Sequence, residues 1–171
     1  VFADNPIAAV NGALWTLKIE VMFYLLLPVL ALALRQAGRR RLALIALIYV
    51  AAEIWRQGLG LAAPHWPAAA SLAVQLPGQM SFFITGVALA LYRDRLGQPW
   101  LRAVLGAALL AASLLHPALE GARALGLGLA ILVLAEDIPA LLGAHRFGDL
   151  SYGLYITHFP IQQAIVAAAL F

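Results

Sequence analysis

The stretch Asn11-Gly12-Ala13-Leu14-Trp15-Thr16-Leu17-Lys18-Ile19-Glu20-Val21-Met22-Phe23-Tyr24-Leu25-Leu26-Leu27-Pro28-Val29-Leu30-Ala31-Leu32-Ala33-Leu34 decides the class of this chain. A membrane helix needs roughly 20 mostly apolar residues. Leu14 to Leu34 supplies them, with Lys18 and Glu20 near the start as its only charges and Pro28 inside. Asn11 offers a capped start, and Trp15 stands where an aromatic ring anchors at interface depth. Thr16, Glu20 and Tyr24 are spaced by four and share one helical face. At ~1.5 Å per residue, Glu20 lies roughly 7 Å below Trp15. Ionisable groups at such depth are costly and usually face a bundle interior or a watery cavity. A Lys18/Glu20 pair reaching back to water is the plainer alternative for the same residues.

The rest of the chain agrees with an all-α, polytopic membrane bundle. Of 171 residues, 64% are hydrophobic and 11% charged, too little polar surface for a domain of this size in water. The 14 glycines suit closely packed membrane helices. Cysteine is absent, which removes disulfides and thiolate metal sites. The net charge of +3 does not point to nucleic acid, because the arginines lie between apolar runs, as topology signals do. Six spans are expected, at about residues 14–34, 42–56, 78–92, 100–115, 119–135 and 150–171. The first half of the uncharged stretch from Gln57 to Tyr92, cut by Pro64, Pro67 and Pro77-Gly78, reads as a loop or re-entrant piece.

Arginine placement sets the expected orientation. Arg35, Arg39, Arg40, Arg41, Arg93, Arg95, Arg102 and Arg146 fill one set of breaks, against Lys18, Arg56 and Arg123 on the other side. The arginine-rich breaks are therefore expected to be cytoplasmic. The segment before Trp15 would lie outside, and six alternating spans would return Phe171 to the outer side.

A second polar stripe marks the last span. Ser151, Tyr155, His158 and Gln162 follow steps of four, three and four on an apolar segment, with Pro160 expected to kink it. Counted from Leu150, His158 lies roughly 12 Å deep. A histidine there can serve as general base, proton relay or orienting hydrogen bonder; a neutral histidine satisfied by a neighbouring helix explains it equally well. Glu53 and Arg56 are read as a structural ion pair. His65 and His116 fall in outer loops without metal spacing, and His145 beside Arg146 at the inner surface. No nucleotide-binding loop, zinc-protease helix or nucleophile elbow occurs.

Two strings carry a family resemblance. Asn11 to Pro28 resembles the N-x-S-L-W-[ST]-L-x-x-E-x-x-F-Y-L-L-x-P segment of the acyltransferase-3 family of membrane O-acyltransferases. Leu150-Ser151-Tyr152-Gly153-Leu154-Tyr155-Ile156-Thr157-His158-Phe159-Pro160-Ile161 is similar to that family's late I-S-Y-x-L-Y-L-x-H-x-P-[IV] helix. The motifs stand in family order near the two ends of the chain. Ala13 replaces the small hydroxyl residue common in the first.

The resemblance implies transfer of an acyl group, typically acetyl from acetyl-CoA, to hydroxyls of cell-envelope carbohydrates or glycosylated molecules. It implies acyl-CoA as donor substrate with no bound cofactor, a lipid-linked glycan or carbohydrate acceptor, and a bacterial inner-membrane location. The family core has about ten spans. Its proposed catalytic Arg and His lie on and near a first helix that would precede Val1, so the resemblance assigns no catalytic residue within this sequence. The chain is accordingly expected to be a portion of that core, inactive alone. The supporting residues implied are Asn11, Trp15, Glu20 and Tyr24 on the outer part of the site, with Ser151, Tyr155 and His158 in its core. Arg39, Arg40 and Arg41 could meet the phosphates of CoA. A transporter or flippase-like bundle, lining a passage with the same stripes, is one competing reading, and a purely structural or degenerate membrane segment is another.

Overall fold

The computed structural model describes Asn11, residues 14–137 and residues 151–168, apart from the side chains of Ser151, Tyr152 and Leu154. Val1, from which the family's catalytic helix is counted back, lies outside the described residues, as do His145 and Arg146. Among those described there is no strand. The α-helices are α1 (Trp15–Gln36), α2 (Arg41–Ala62), α3 (Pro67–Ala73), α4 (Leu76–Tyr92), α5 (Pro99–Leu115), α6 (Arg123–Glu136) and α7 (Ser151–Ala167). Short 3-10 turns at Gly38–Arg40, Arg93–Arg95 and Pro117–Ala122 carry the chain around several corners.

Among the described residues, four helical stretches are long and apolar enough to cross a membrane: Trp15–Gln36, Gly38–Ala62, Pro67–Arg95 and Pro117–Glu136. Helix α5 is shorter, at 17 residues or ~25 Å. The chain divides into two units, one of residues 27–142 and one of residues 1–26 and 143–171, and α1 runs through the division.

In the first of these units, Leu30 and Leu34 of α1, Ile45 of α2 and Ile84 of α4 form an apolar core, with Phe83, Val87 and Tyr92 packed against it. The other tight contacts use small residues. Ala69, Ala73 and Ala124 are buried, whereas Leu47, Leu61, Leu114 and Leu115 face outward. That inversion fits a bundle whose outer surface meets lipid, since lipid tails are as apolar as leucine and close approach of backbones drives packing instead. Helices α5 and α6 show it most clearly. A Cβ at Gly126 would stand 2.8 Å from the backbone nitrogen of Leu110, and one at Gly106 would stand 3.2 Å from that of Ala130.

Charged residues close the two ends of this unit. At one end Glu53 Oε2 accepts from Arg56 at 2.7 Å and from Gln57 at 3.0 Å. Arg56 continues to Glu120 at 3.5 Å, and Glu120 to Arg123 at 3.3 Å. The Tyr49 hydroxyl donates to the Gly121 carbonyl, and Arg56 lies over the Phe82 ring. The expected Glu53–Arg56 pair is thus the first link of a chain of alternating charge tying α2 to the turn before α6. At the other end Arg102, largely buried, holds Asp137 at 2.8 Å and Glu136 at 3.8 Å, and Glu136 also meets Arg93 at 3.1 Å.

Two boundaries differ from the sequence expectation. Helix α2 runs on through Arg56 to Ala62 because Gln57 keeps its amide on Glu53 and nothing before Pro64 removes a backbone donor. The stretch read as a loop then contains α3, opened by Pro67 at its first position and fixed by the Trp55 indole donating to the Leu72 carbonyl at 3.1 Å.

Two measurements check this arrangement. Gly126→Val should lower the thermal unfolding midpoint of the purified protein by several degrees, because its side chain meets backbone that cannot step aside; an unchanged midpoint would show that α5 and α6 do not pack through Gly126. In a chain without native cysteines, Gln36→Cys should resist an impermeant thiol reagent in intact cells while Gly60→Cys reacts. The reverse labelling would invert the orientation.

Candidate functional site

The second unit holds the late motif and the first motif as far as Leu26. It begins from a backbone constraint: Pro160 has no N–H, so it cannot bond to the carbonyl four residues before it. That carbonyl belongs to Ile156. The Asn11 side-chain amide supplies the missing donor, reaching Ile156 O at 2.9 Å. In hydrocarbon an unsatisfied backbone group costs several kcal/mol. The proline of one motif therefore creates a demand that the asparagine of the other meets.

Beside this bond, the Thr16 and Tyr155 hydroxyls pair with each other. Tyr155 also serves through its backbone: His158 Nδ1 lies 2.7 Å from its carbonyl. A carbonyl only accepts, so Nδ1 carries the proton, and in the neutral ring the lone pair lies on Nε2. The Tyr155 and His158 rings sit 6.0 Å apart, and Phe159 meets His158 edge to face. The result is a short polar path, Thr16–Tyr155–His158, presented by adjoining turns of α1 and α7.

Glu20 and Tyr24 are one and two turns further along α1. The Tyr24 hydroxyl donates to Glu20 Oε1 at 2.5 Å, and both side chains are exposed. Trp15 is likewise exposed. The structure thus joins Asn11 to Ile156 and Thr16 to Tyr155, pairs Glu20 with Tyr24 within α1, and sets His158 against Tyr155. Ser151 opens α7, and its side chain lies outside the described residues.

The arginines belong to the other unit, and they divide. Arg39 and Arg40 are exposed on the 3-10 turn, where Gly38 takes a left-handed φ of 52°. Arg41 turns back, its Nε donating to the Leu34 carbonyl at 3.0 Å and closing the end of α1.

Gln162 is exposed, as His158 four residues before it is, and the neighbouring Gln163 is buried. Thr16 and Tyr155, each within about a turn of its helix start, touch, which brings the starts of α1 and α7 to one level, where six alternating spans were expected to put them on opposite sides.

A family model described as an acyltransferase domain matches residues 3–168. The chain belongs to the acyltransferase-3 family. The match covers both units and both motifs, and with the apolar helices it makes this an integral membrane protein of an acyltransferase family. It begins at residue 3 and so bears on nothing upstream of Val1, where the resemblance would put the family's catalytic Arg and His. No curated protein and no solved structure matches the chain.

The Asn11–Pro160 relation is open to a double-mutant cycle. Asn11→Ala alone should cost about 1–3 kcal/mol of stability by orphaning the Ile156 carbonyl. In a Pro160→Ala background residue 160 regains its N–H, and the same substitution should cost far less. Equal losses in both backgrounds would show that the amide does not serve the proline-freed carbonyl.

Proposed function

We propose that this protein is a membrane O-acyltransferase, of the class transferring groups other than amino-acyl groups, that moves an acyl group, most simply acetyl, from acyl-CoA to a hydroxyl of a cell-envelope carbohydrate. Membership of an acyltransferase family supports the reaction class. The observation that carries the reading to particular residues is the His158 tautomer: Nδ1 is held on the Tyr155 carbonyl, which directs the basic nitrogen, Nε2, away from its own helix backbone.

The chemistry assigns each group a task. With the family's catalytic Arg and His expected upstream of Val1, His158 is a supporting group: its Nε2 relays the proton that leaves the acceptor hydroxyl as the oxygen bonds to the thioester carbonyl carbon. The C–S bond then breaks, and the departing thiolate takes the proton back from Nε2. Thr16 and Tyr155 hold the turn that carries the imidazole. Glu20, fixed by Tyr24, orients sugar hydroxyls by accepting their hydrogen bonds, as an ionised carboxylate can. Arg39 and Arg40, exposed and not engaged as Arg41 is, are the better candidates for CoA phosphates.

Introduced at the native locus, His158→Ala should lower envelope-sugar acylation by about 10²-fold, the lower end of the range for losing a proton-transfer group. Glu20→Gln should lower it less. Both variants should stay in the membrane fraction, and undiminished acylation in both would overturn this assignment of roles.

A further inference from the structure

A groove of about 420 Å³ runs between α4 and α6. Its walls are apolar, including Leu89 on α4 and Leu127 and Ile131 on α6, and it ends at Arg93 and Glu136. From Ala124 to Glu136 is twelve residues along α6, a length of ~18 Å. One leaflet of a bilayer is roughly 15 Å deep in hydrocarbon. The groove is therefore one acyl chain long, with its charged end where a headgroup would lie.

That end is built to meet a phosphate. Arg93 engages Glu136 through Nε at 3.1 Å, and its side chain is 61% exposed. A guanidinium has five donors in a fixed fork, so one ion pair leaves most of them for another oxygen acceptor. Arg95 is on the same 3-10 turn, lying over the ring of Tyr92. Basic pockets between membrane helices at this level are sites for lipid headgroups. Along the groove wall Gly86 leaves a notch: a Cβ there would meet nothing within 4 Å. Gly128, by contrast, is packed, its Cβ position lying 2.7 Å from Thr85.

We propose that the α4–α6 groove is a phospholipid site, one acyl chain lying along Gly86, Leu89, Leu127 and Ile131 with the lipid phosphate on Arg93. The site is independent of the acyl-transfer assignment, since none of its residues takes part in that chemistry.

The full-length protein, reconstituted in vesicles of phosphatidylglycerol and phosphatidylethanolamine, tests this with a photo-cross-linking residue at Leu89. Irradiation should yield a protein–phospholipid adduct in the mass spectrum. Gly86→Leu fills the notch with a stronger helix former, so it should preserve the fold while cutting the adduct several-fold. Gly86→Ala should leave the adduct largely intact. Arg93→Gln should lower lipid retention on detergent washing roughly tenfold, the size of one charge-assisted hydrogen bond. A cross-link to polypeptide, whether a second copy or another chain, would overturn the proposal. So would an adduct that Gly86→Leu and Arg93→Gln leave unchanged.

Discussion

A carbonyl without a partner organises the unit that holds the late motif and the first motif as far as Leu26. Pro160 interrupts α7 by lacking an N–H, and in a bilayer no water stands ready to take up the Ile156 oxygen. The donor has to come from elsewhere in the chain, and Asn11 provides it. Once Asn11 is fixed there, Thr16 falls opposite Tyr155, and the two hydroxyls pair. The Tyr155 carbonyl in turn holds the His158 ring and selects its tautomer. The Asn11 contact between the start of α1 and α7 thus answers one removed backbone donor, whereas the histidine is held within its own helical turn.

The other unit is held by means suited to the same solvent. Its interior favours small residues and a compact Leu30–Leu34–Ile45–Ile84 core, while large aliphatic side chains are turned outward. Charges are gathered at its ends and matched by opposite charge: Glu53, Arg56, Glu120 and Arg123 at one, Arg93, Arg102, Glu136 and Asp137 at the other. A largely buried arginine such as Arg102 is tolerated because two carboxylates face it; removing either partner from such a cluster costs more than the pair contributes.

Much of the site was legible because helical spacing is a local property. Steps of four placed Thr16, Glu20 and Tyr24 on one face, and the Glu20–Tyr24 hydrogen bond follows from that spacing alone. Tyr155 and His158, three apart, likewise meet within one turn. A signal for the Asn11 contact was present, in that a proline inside a helix always frees the carbonyl four residues earlier. The sequence offered no means of saying which donor would answer it. Arg41 illustrates the same limit: three consecutive arginines look equivalent, and only the fold shows that one of them closes the end of α1.

By itself, the sequence determined the class, the family and the residues with chemical capacity. Hydropathy, charge placement and two motifs are written along the chain and survive without knowledge of its path. The tertiary structure decided the partners. Asn11 and Ile156 stand 145 residues apart, and Thr16 and Tyr155 stand 139 apart. Hydrogen bonds are short and directional, so which groups meet depends on where helices cross, and that depends on packing summed over many side chains. Leu14 to Leu34 announced a membrane helix; that its first turn rests on α7 was settled by contacts with residues at the far end of the chain.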